Sequence, residues 1–568
     1  MVDAFPTWQR IVPHASWLGG PLSAIAEELE SPATRAELER SEREEVYSEP
    51  VVARLDALGL ADLFAGGPCT TACHIQSLNA IAAQASASLA VSLGITGLAL
   101  LPAWLAATPD QLVRIGARVA AGARAAMLLS EWATGSNLAG TQARAERLEG
   151  GEQYALFGEK QLINLARRAD LFMTLVRTAP PGSGPLGATA GLSLFLVERA
   201  DGVELLPRWR TLPVPAADIG GVRFDGTRVA AGARIGAEGD GFRLVQAALT
   251  LSRGGIAAFA SGTASRAAAL ALAHARERAP YGEPIARLDA VAQHLVRAAA
   301  LYLACACVAI KAAAAANALG PRAAYHTAVG KLVACDLAER AVAEGRAVLG
   351  ARALLSDLPY QQVVRDVMLY GVFDGTRHVM LEHVLWRVRQ MVRGGEETGA
   401  AAGDPDIYDV PPAPLVEATR RRGRPWLPRP AAVAAELGDG AVDAGPLAEG
   451  AHAFEAALAA LPADLLAEQS TGFALAGAWA ELEAAIAVCE LADPVRRVRR
   501  GMPAPAGAPF EGADLARFAV AEVAGDALAA ARRALAGCGV DLACAPAERA
   551  LAVSRAEAGR RLRAALRQ

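Results

Sequence analysis

Between residues 128 and 239 the hydrophobic pattern of this 568-residue chain changes its period, and that change limits the folds open to it. Before the interval, apolar residues recur at helical spacing, as in RLDALGLADLF (54–64), beside a charged exposed helix, ATRAELERSEREEV (33–46). Inside it they come in short runs: YALFGEKQLI (154–163), DLFMTLVRT (170–178), LSLFLVE (192–198), GVELLP (202–207) and GVRFDGTRVA (221–230). Runs of this length bounded by Gly, Pro or Asp turns read as strands of a compact β domain. From Gly239 the helical period returns in Ala/Leu-rich segments at roughly 240–278, 288–319, 321–349 and 376–394. The expected fold is α+β and predominantly α. It comprises an N-terminal helical domain (1–127), a middle β-barrel-like domain (128–238) and a helical bundle (239–396).

Residues 397–430 are rich in Gly, Pro and charge and read as a linker, with RRRGR (420–424) as a solvated run. Residues 431–568 read as a helical extension, with helices near 450–460, 472–491, 513–536 and 546–567. Its apolar faces, interrupted by Arg496, Arg497, Arg499 and Arg500, predict packing on the rest of the chain and not insertion into a bilayer. A net charge of −4 gives no reason to expect nucleic acid as a partner.

From Cys69 to Thr108 there is no charged side chain, but Gln76, Asn79, Gln84, Gly94, Gly97 and Pro102 interrupt the stretch. Buried helices are expected there and not a membrane span. Cys69, Cys73 and His74 lack a second ligand pair at finger spacing, so no metal is expected. The eight cysteines read as thiols of a cytoplasmic protein, since nothing at the N-terminus resembles a secretion signal. Lysine occurs only at 160, 311 and 331, while Arg, Ala, Gly and Pro abound, a bias expected of a high-GC bacterial source.

Residues 365–376 read RDVMLYGVFDGT. The stretch resembles the segment that carries the catalytic carboxylate in the flavin-dependent acyl-CoA dehydrogenase family: Arg-Asp, seven residues, a glutamate, then Gly-Thr. Here the spacing is kept and the carboxylate is Asp374. Four further stretches are similar to family motifs in family order: LLSEWATGSNLAGTQARA (128–145), GEKQLINLARRADLF (158–172), RVAAGARIGAEGDGFRLV (228–245) and RERAPYGEPIARLDAV (276–291).

The resemblance implies a non-covalent FAD. Cofactor contacts would come from Ser130, Ser136, Leu162, Asn164, Arg278, Tyr281, Asp289, Gly350, Thr376 and His378, and substrate contacts from Ser252, Arg253, Phe373 and Gly375. In the family the arginine at Arg278 reaches the flavin of a neighbouring subunit, which implies a homo-oligomer, here a dimer. Physically, Ser130 and Ser136 flanking Gly135 offer hydroxyl and N–H donors, and the Arg278 guanidinium can bind a pyrophosphate through two bonds.

Several positions depart from the family pattern. Leu162 stands where an aromatic usually lies against the flavin, Asn164 where threonine is usual, and Asp289 where glutamine is usual. Gly350-Ala-Arg-Ala replaces a Gly-Gly-x-Gly turn, with Ala347 in place of a glutamine.

The chemistry implied is α,β-desaturation of an acyl thioester on CoA or a carrier protein, with Asp374 taking the α-proton and a hydride passing to flavin N5. Electrons would leave to an electron-transfer flavoprotein or to oxygen. Shortening the base by one methylene matters because about 1 Å of misplacement can cost about a hundredfold. Ser252 stands where some subfamilies carry an alternative glutamate, so no second carboxylate replaces Asp374 from that helix. Two other readings remain open. One is a nitroalkane-oxidase-like oxidase or monooxygenase on the same fold; the other is a flavin-free homologue acting as a binding protein.

Overall fold

The computed structural model describes residues 7–182, 187–392, 407–418, 429–437, 440–462, 464–466, 468–499 and 513–567. Contacts divide the chain into two compact units. One comprises 18–252 with 412–421, and the other 1–17, 253–411 and 422–568.

The first unit is a helical layer followed by a sheet. Helices Leu22–Glu30, Pro32–Glu44, Glu49–Ala57, Ala72–Ala85, Ala87–Ala106 and Pro109–Ala120 precede the strands. The expected 54–64 helix is cut short. It ends at Ala57, because Gly59 turns the chain at φ 91° into a single 3-10 turn at Leu60–Leu63. The uncharged stretch forms two helices separated at Ser86, whose hydroxyl caps the second by accepting from the Leu89 amide.

Among the described residues eight strands follow: β1 (Ala125–Leu128), β2 (Arg144–Arg147), β3 (Gln153–Asn164), β4 (Leu171–Arg177), β5 (Leu192–Glu198), β6 (Glu204–Leu206), β7 (Ile219–Ala230) and β8 (Arg234–Ile235). They pair in the order β6-β7-β3-β2-β4-β5-β8, with β1 parallel to β4. Sequence pattern did not anticipate β1, β2 or β8, which are too short, at four, four and two residues, to show a period. The long β3–β7 pair carries register shifts at Leu156/Phe157 and at Gln161/Ile163. Tyr154, Leu156, Phe172, Val176, Phe195, Val222 and Phe224 fill the core of the sheet.

The second unit is helical. Its central pair, Asp289–Leu319 and Ala324–Leu349, buries nearly every side chain of the former, where alanine lets helices approach closely. Helices Gln469–Leu491, Ala513–Ala536 and Ala545–Arg567 of the C-terminal extension pack on Asp289–Leu319. The extension therefore buries its apolar faces against this unit, as the sequence pattern suggested.

A polar network is buried at that contact. Lys311 Nζ lies 3.2 Å from Glu483 and 3.1 Å from Glu490. Tyr325 donates to Glu483 at 3.0 Å, Trp479 Nε1 to the Tyr325 oxygen at 2.7 Å, and Tyr408 to Glu490 at 2.8 Å. Arg497, also buried, donates to the carbonyls of Ile11 and Leu491 at 2.7 Å each and ties down the N-terminal segment.

Of the expected linker, 397–406 and 419–428 lie outside the described residues, the RRRGR run among them. Residues 407–418 include a short helix, Leu415–Ala418, and a fully buried Tyr408. Among the described residues, four helical stretches are long and apolar enough to cross a membrane, but 78–100% of the most apolar window of each is buried within the fold.

Candidate functional site

Asp374 sits at the exit of a chain of short helical turns, Tyr360–Asp366 and Val367–Leu369, just before helix Arg377–Val392. Its φ is 53° and that of Gly375 is 92°, so two successive residues are left-handed. Aspartate tolerates that region better than most side chains. Glycine is required next to it, since a Cβ there would also approach the Met380 methyl to 3.0 Å. The turn rests on aromatic side chains. Phe259 stacks with Tyr370 at 6.1 Å between centroids, Tyr370 meets Phe373 at 6.4 Å, and the Tyr370 hydroxyl pairs with Thr263 at 2.8 Å.

Two buried cations serve this turn. Lys331, on helix Ala324–Leu349, donates from Nζ to three successive carbonyls, those of Phe373, Asp374 (2.8 Å) and Gly375. Burial pulls its pKa below the ordinary lysine value, and the Asp374 charge opposes that shift. Arg253 is buried as well, and Nε and Nη1 of its guanidinium have no hydrogen-bond partner among the described residues. Burial lowers its pKa and Asp374 again opposes. His383 is pushed down to about 4 by burial and by the Arg253 charge, so it is neutral at physiological pH.

Sequence reading named Arg253 but passed over Lys331 and His383. The signal for Lys331 was there: the three lysines of the chain, 160, 311 and 331, are 0%, 4% and 1% exposed. Where arginine supplies the surface cations, a surviving lysine marks a place for a compact interior ammonium.

The other expected residues of this unit lie as follows. Thr376 is half-buried and His378 exposed at the start of the Arg377–Val392 helix. Arg278 and Tyr281 are exposed in the turn after helix Gly241–Glu277. Asp289 accepts hydrogen bonds from Arg563 (3.1 Å) and Arg567 (2.6 Å) of the last helix. Gly350, exposed at φ 58°, closes helix Ala324–Leu349.

In the first unit, the register shift in β3 turns Leu162 outward in a left-handed conformation, φ 59°, leaving this large apolar side chain 56% exposed. A leucine held so at a strand bulge is strained, and such outliers cluster at ligand sites. Near it, exposed Trp132 and Trp209 meet edge to face at 5.3 Å, and Trp209 Nε1 donates to Gln161 at 2.9 Å. Asn164 spends its Nδ2 on the Val91 carbonyl (2.7 Å), leaving Oδ1 buried with no partner among the described residues.

Ser130 and Ser136 lie on the loop between β1 and β2, Ser130 half-buried and Ser136 exposed. Glu131 fixes that loop: it accepts from the amides of Gln142 (2.9 Å) and Ala143 (3.1 Å) and from buried Lys160 (2.8 Å). Burial lowers the Lys160 pKa, with Glu131 opposing. Ser252 donates to the Leu249 carbonyl of its own helix at 3.1 Å. His74 Nδ1 lies 3.1 Å from the Cys69 carbonyl oxygen, and no group of three His, Cys, Asp or Glu suited to a metal occurs among the described residues. All eight cysteines are free thiols.

Comparison with known proteins gives these features a family. Residues 126–227 match the acyl-CoA dehydrogenase middle domain and residues 239–388 the acyl-CoA dehydrogenase C-terminal domain. The chain is 25% identical over 374 residues to the mitochondrial very long-chain specific acyl-CoA dehydrogenase of Rattus norvegicus, covering 64% of this chain and 56% of that protein. It is 30% identical over 294 residues to the probable acyl-CoA dehydrogenase FadE10 of Mycobacterium tuberculosis, covering 49% and 44%. The chain thus spans about half the length of the curated relatives it matches. An acyl-CoA dehydrogenase of Bacillus anthracis complexed with FAD shares the fold, with a TM-score of 0.70, 18% identity, and coverage of 96% of this chain and 94% of that one. Residues 126–227 and 239–388, under half of the chain, are thus similar to the middle and C-terminal domains of the acyl-CoA dehydrogenase family.

Proposed function

We propose that this member of the acyl-CoA dehydrogenase family is an FAD-dependent dehydrogenase of acyl thioesters, with Asp374 as the base that removes the α-proton. One observation carries the reading. Asp374, whose spacing matches the family's catalytic carboxylate, stands on a left-handed turn that a buried lysine holds by three carbonyls. An arrangement of that kind costs conformational energy and is kept where a side chain must be aimed.

The residues present suit a flavin. Asn164 Oδ1 is a buried acceptor with no donor among the described residues, and Leu162 is an apolar side chain held outward against its conformational preference. Such a surface needs a flat apolar partner bearing N–H donors. We assign Ser130, Ser136, Leu162, Asn164, Arg278, Tyr281, Asp289, Gly350, Thr376 and His378 to holding it, the arginine by its pyrophosphate. When bound, the flavin supplies an acceptor for two electrons.

The chain's own residues do the rest. The Arg253 and Lys331 charges favour the ionised form of Asp374, which a base requires. The Asp374 amide can polarise the thioester carbonyl, raising the acidity of the α-carbon. The family resemblance assigns Ser252, Arg253, Phe373 and Gly375 to the substrate. The short arm of Asp374 also supports a second reading, an oxidase acting on a smaller activated carbon acid. A dimer in the cytoplasm, using an electron-transfer flavoprotein or oxygen as acceptor, completes the proposal.

The test is direct. The purified chain is expected to be yellow with FAD and to bleach anaerobically with an acyl-CoA from a chain-length panel. Asp374→Asn is expected to slow that bleaching by at least about a hundredfold while thioester binding persists. A colourless chain that takes up no FAD, or an Asp374→Asn variant reduced at the wild-type rate, contradicts the proposal. Bleaching by nitroalkanes alone selects the second reading.

A further inference from the structure

We propose that Lys331 is the positioning residue of this site: its ammonium fixes the turn that aims the Asp374 carboxylate, and so sets the reach of the base. The inference rests on Asp374 being the base and adds the residue that places it.

The ammonium has three N–H donors, and three successive carbonyls accept them: Phe373, Asp374 and Gly375. Every donor is used and none is left for a ligand. A neutral amine would turn a lone pair toward one of those carbonyls, so this geometry selects the charged form. The planar fork of an arginine cannot converge on three carbonyls from one point. That explains a lysine here, in a chain with three lysines among 56 basic residues.

What is held is a turn that would otherwise relax. Asp374 and Gly375 are both left-handed, a conformation that side chains other than glycine adopt at a conformational cost. The site also makes unusual demands on placement, because the base is an aspartate. With a shorter arm, the position of the main chain decides whether the carboxylate meets the α-proton. The charged and titratable groups facing the ammonium are Asp374, Cys335 and Arg253. Of these only Asp374 is a carboxylate. Removing the Lys331 charge therefore leaves the carboxylate with Arg253 as its remaining buried cation.

The test compares full-length, FAD-loaded Lys331→Met with wild type. Three changes are expected. Anaerobic flavin reduction by the acyl-CoA slows by about 10–100-fold with binding retained. The acid limb of its pH profile moves upward by about half a unit or more, as the carboxylate loses a cation. Amide hydrogen exchange in the 371–376 segment, measured without substrate, accelerates at least about tenfold while the Asp289–Leu319 helix stays protected.

Exchange needs no turnover, and the pH limb would not move if Lys331 only supported the fold. If either stays at its wild-type value the proposal is overturned. Should the methionine variant not fold, Lys331→Gln, which keeps two donors and loses the charge, is expected to show the same limb shift with a smaller change in exchange. An unmoved limb there overturns the proposal equally. Failure of the base assignment is seen separately, as wild-type rates in Asp374→Asn.

Discussion

Replacing Lys311 by methionine removes one charge from a site that holds three. The ammonium lies 3.2 Å from Glu483 and 3.1 Å from Glu490, and all three side chains are at least nine-tenths buried. Burial works against the ammonium, but Glu490 and Glu483 outweigh it and hold its pKa above the ordinary lysine value. A lysine raised in this way adds stability that is fully present below its unfolded pKa, about 10.4, and is lost as pH rises through the folded value.

Methionine nearly matches the volume, so the cost comes from the two carboxylates left behind. Breaking a buried ion pair by removing one partner costs about 3–5 kcal/mol. Tyr325 and Tyr408 still donate to Glu483 and Glu490, which places the expectation nearer about 3 kcal/mol. The penalty should shrink on acidification, because carboxylates deprived of their cation take up protons in the folded state more readily than in the unfolded one. The loss at pH 8 is therefore expected to exceed that at pH 5.5.

The assay is urea denaturation followed by tryptophan fluorescence, with Trp479 in the same network as a local reporter. Neutralising the carboxylates in the same background, Glu483→Gln with Glu490→Gln, should recover a large part of the loss. A Lys311→Met midpoint equal to wild type would refute the reasoning, and so would a triple variant no better than the single one.

Two other expectations follow from the same unit. His326 is held down to about 3 by burial and by the Lys311 charge, so the unfolded chain takes up its proton near pH 6.5 and the folded chain does not. Acidification from about pH 6.5 to about 3 should cost up to about 1.4 kcal/mol per pH unit through this group. His326→Asn should flatten that slope, and parallel urea midpoints for variant and wild type from pH 7 to 5 would remove the explanation. Truncation after residue 396 strips the helices that cover Asp289–Leu319 and leaves Lys311 without Glu483 and Glu490, so loss of solubility is expected. A truncated chain as soluble and heat-stable as the full one would contradict it.

Much of the fold was legible because period and turn chemistry are local. The helices at Gly241–Glu277 and Ala513–Ala536 lie within a residue or two of their expected limits, since their apolar spacing persists over many turns. Strands β1, β2 and β8 were not legible: short strands are defined by what they pair with. The same divide runs through the candidate site. Spacing around Asp374 suggested a catalytic position, whereas the left-handed φ at 374 and 375 emerges only when the turn closes on Lys331, some 40 residues earlier in the chain.

By itself the sequence determined the α-β-α order of elements, the resemblance that marks Asp374, and the oddity of three lysines in an arginine-rich chain. Each is encoded in neighbouring residues or in composition. The tertiary structure decided what those lysines do: one orders the loop that bears Glu131, one binds two carboxylates of the extension, and one holds the turn of Asp374. It also decided that Asp289 is met by Arg563 and Arg567. The physical reason is common to all of these. The cost of an interior charge depends on which partners folding brings within about 3 Å, and no local pattern in the chain records that distance.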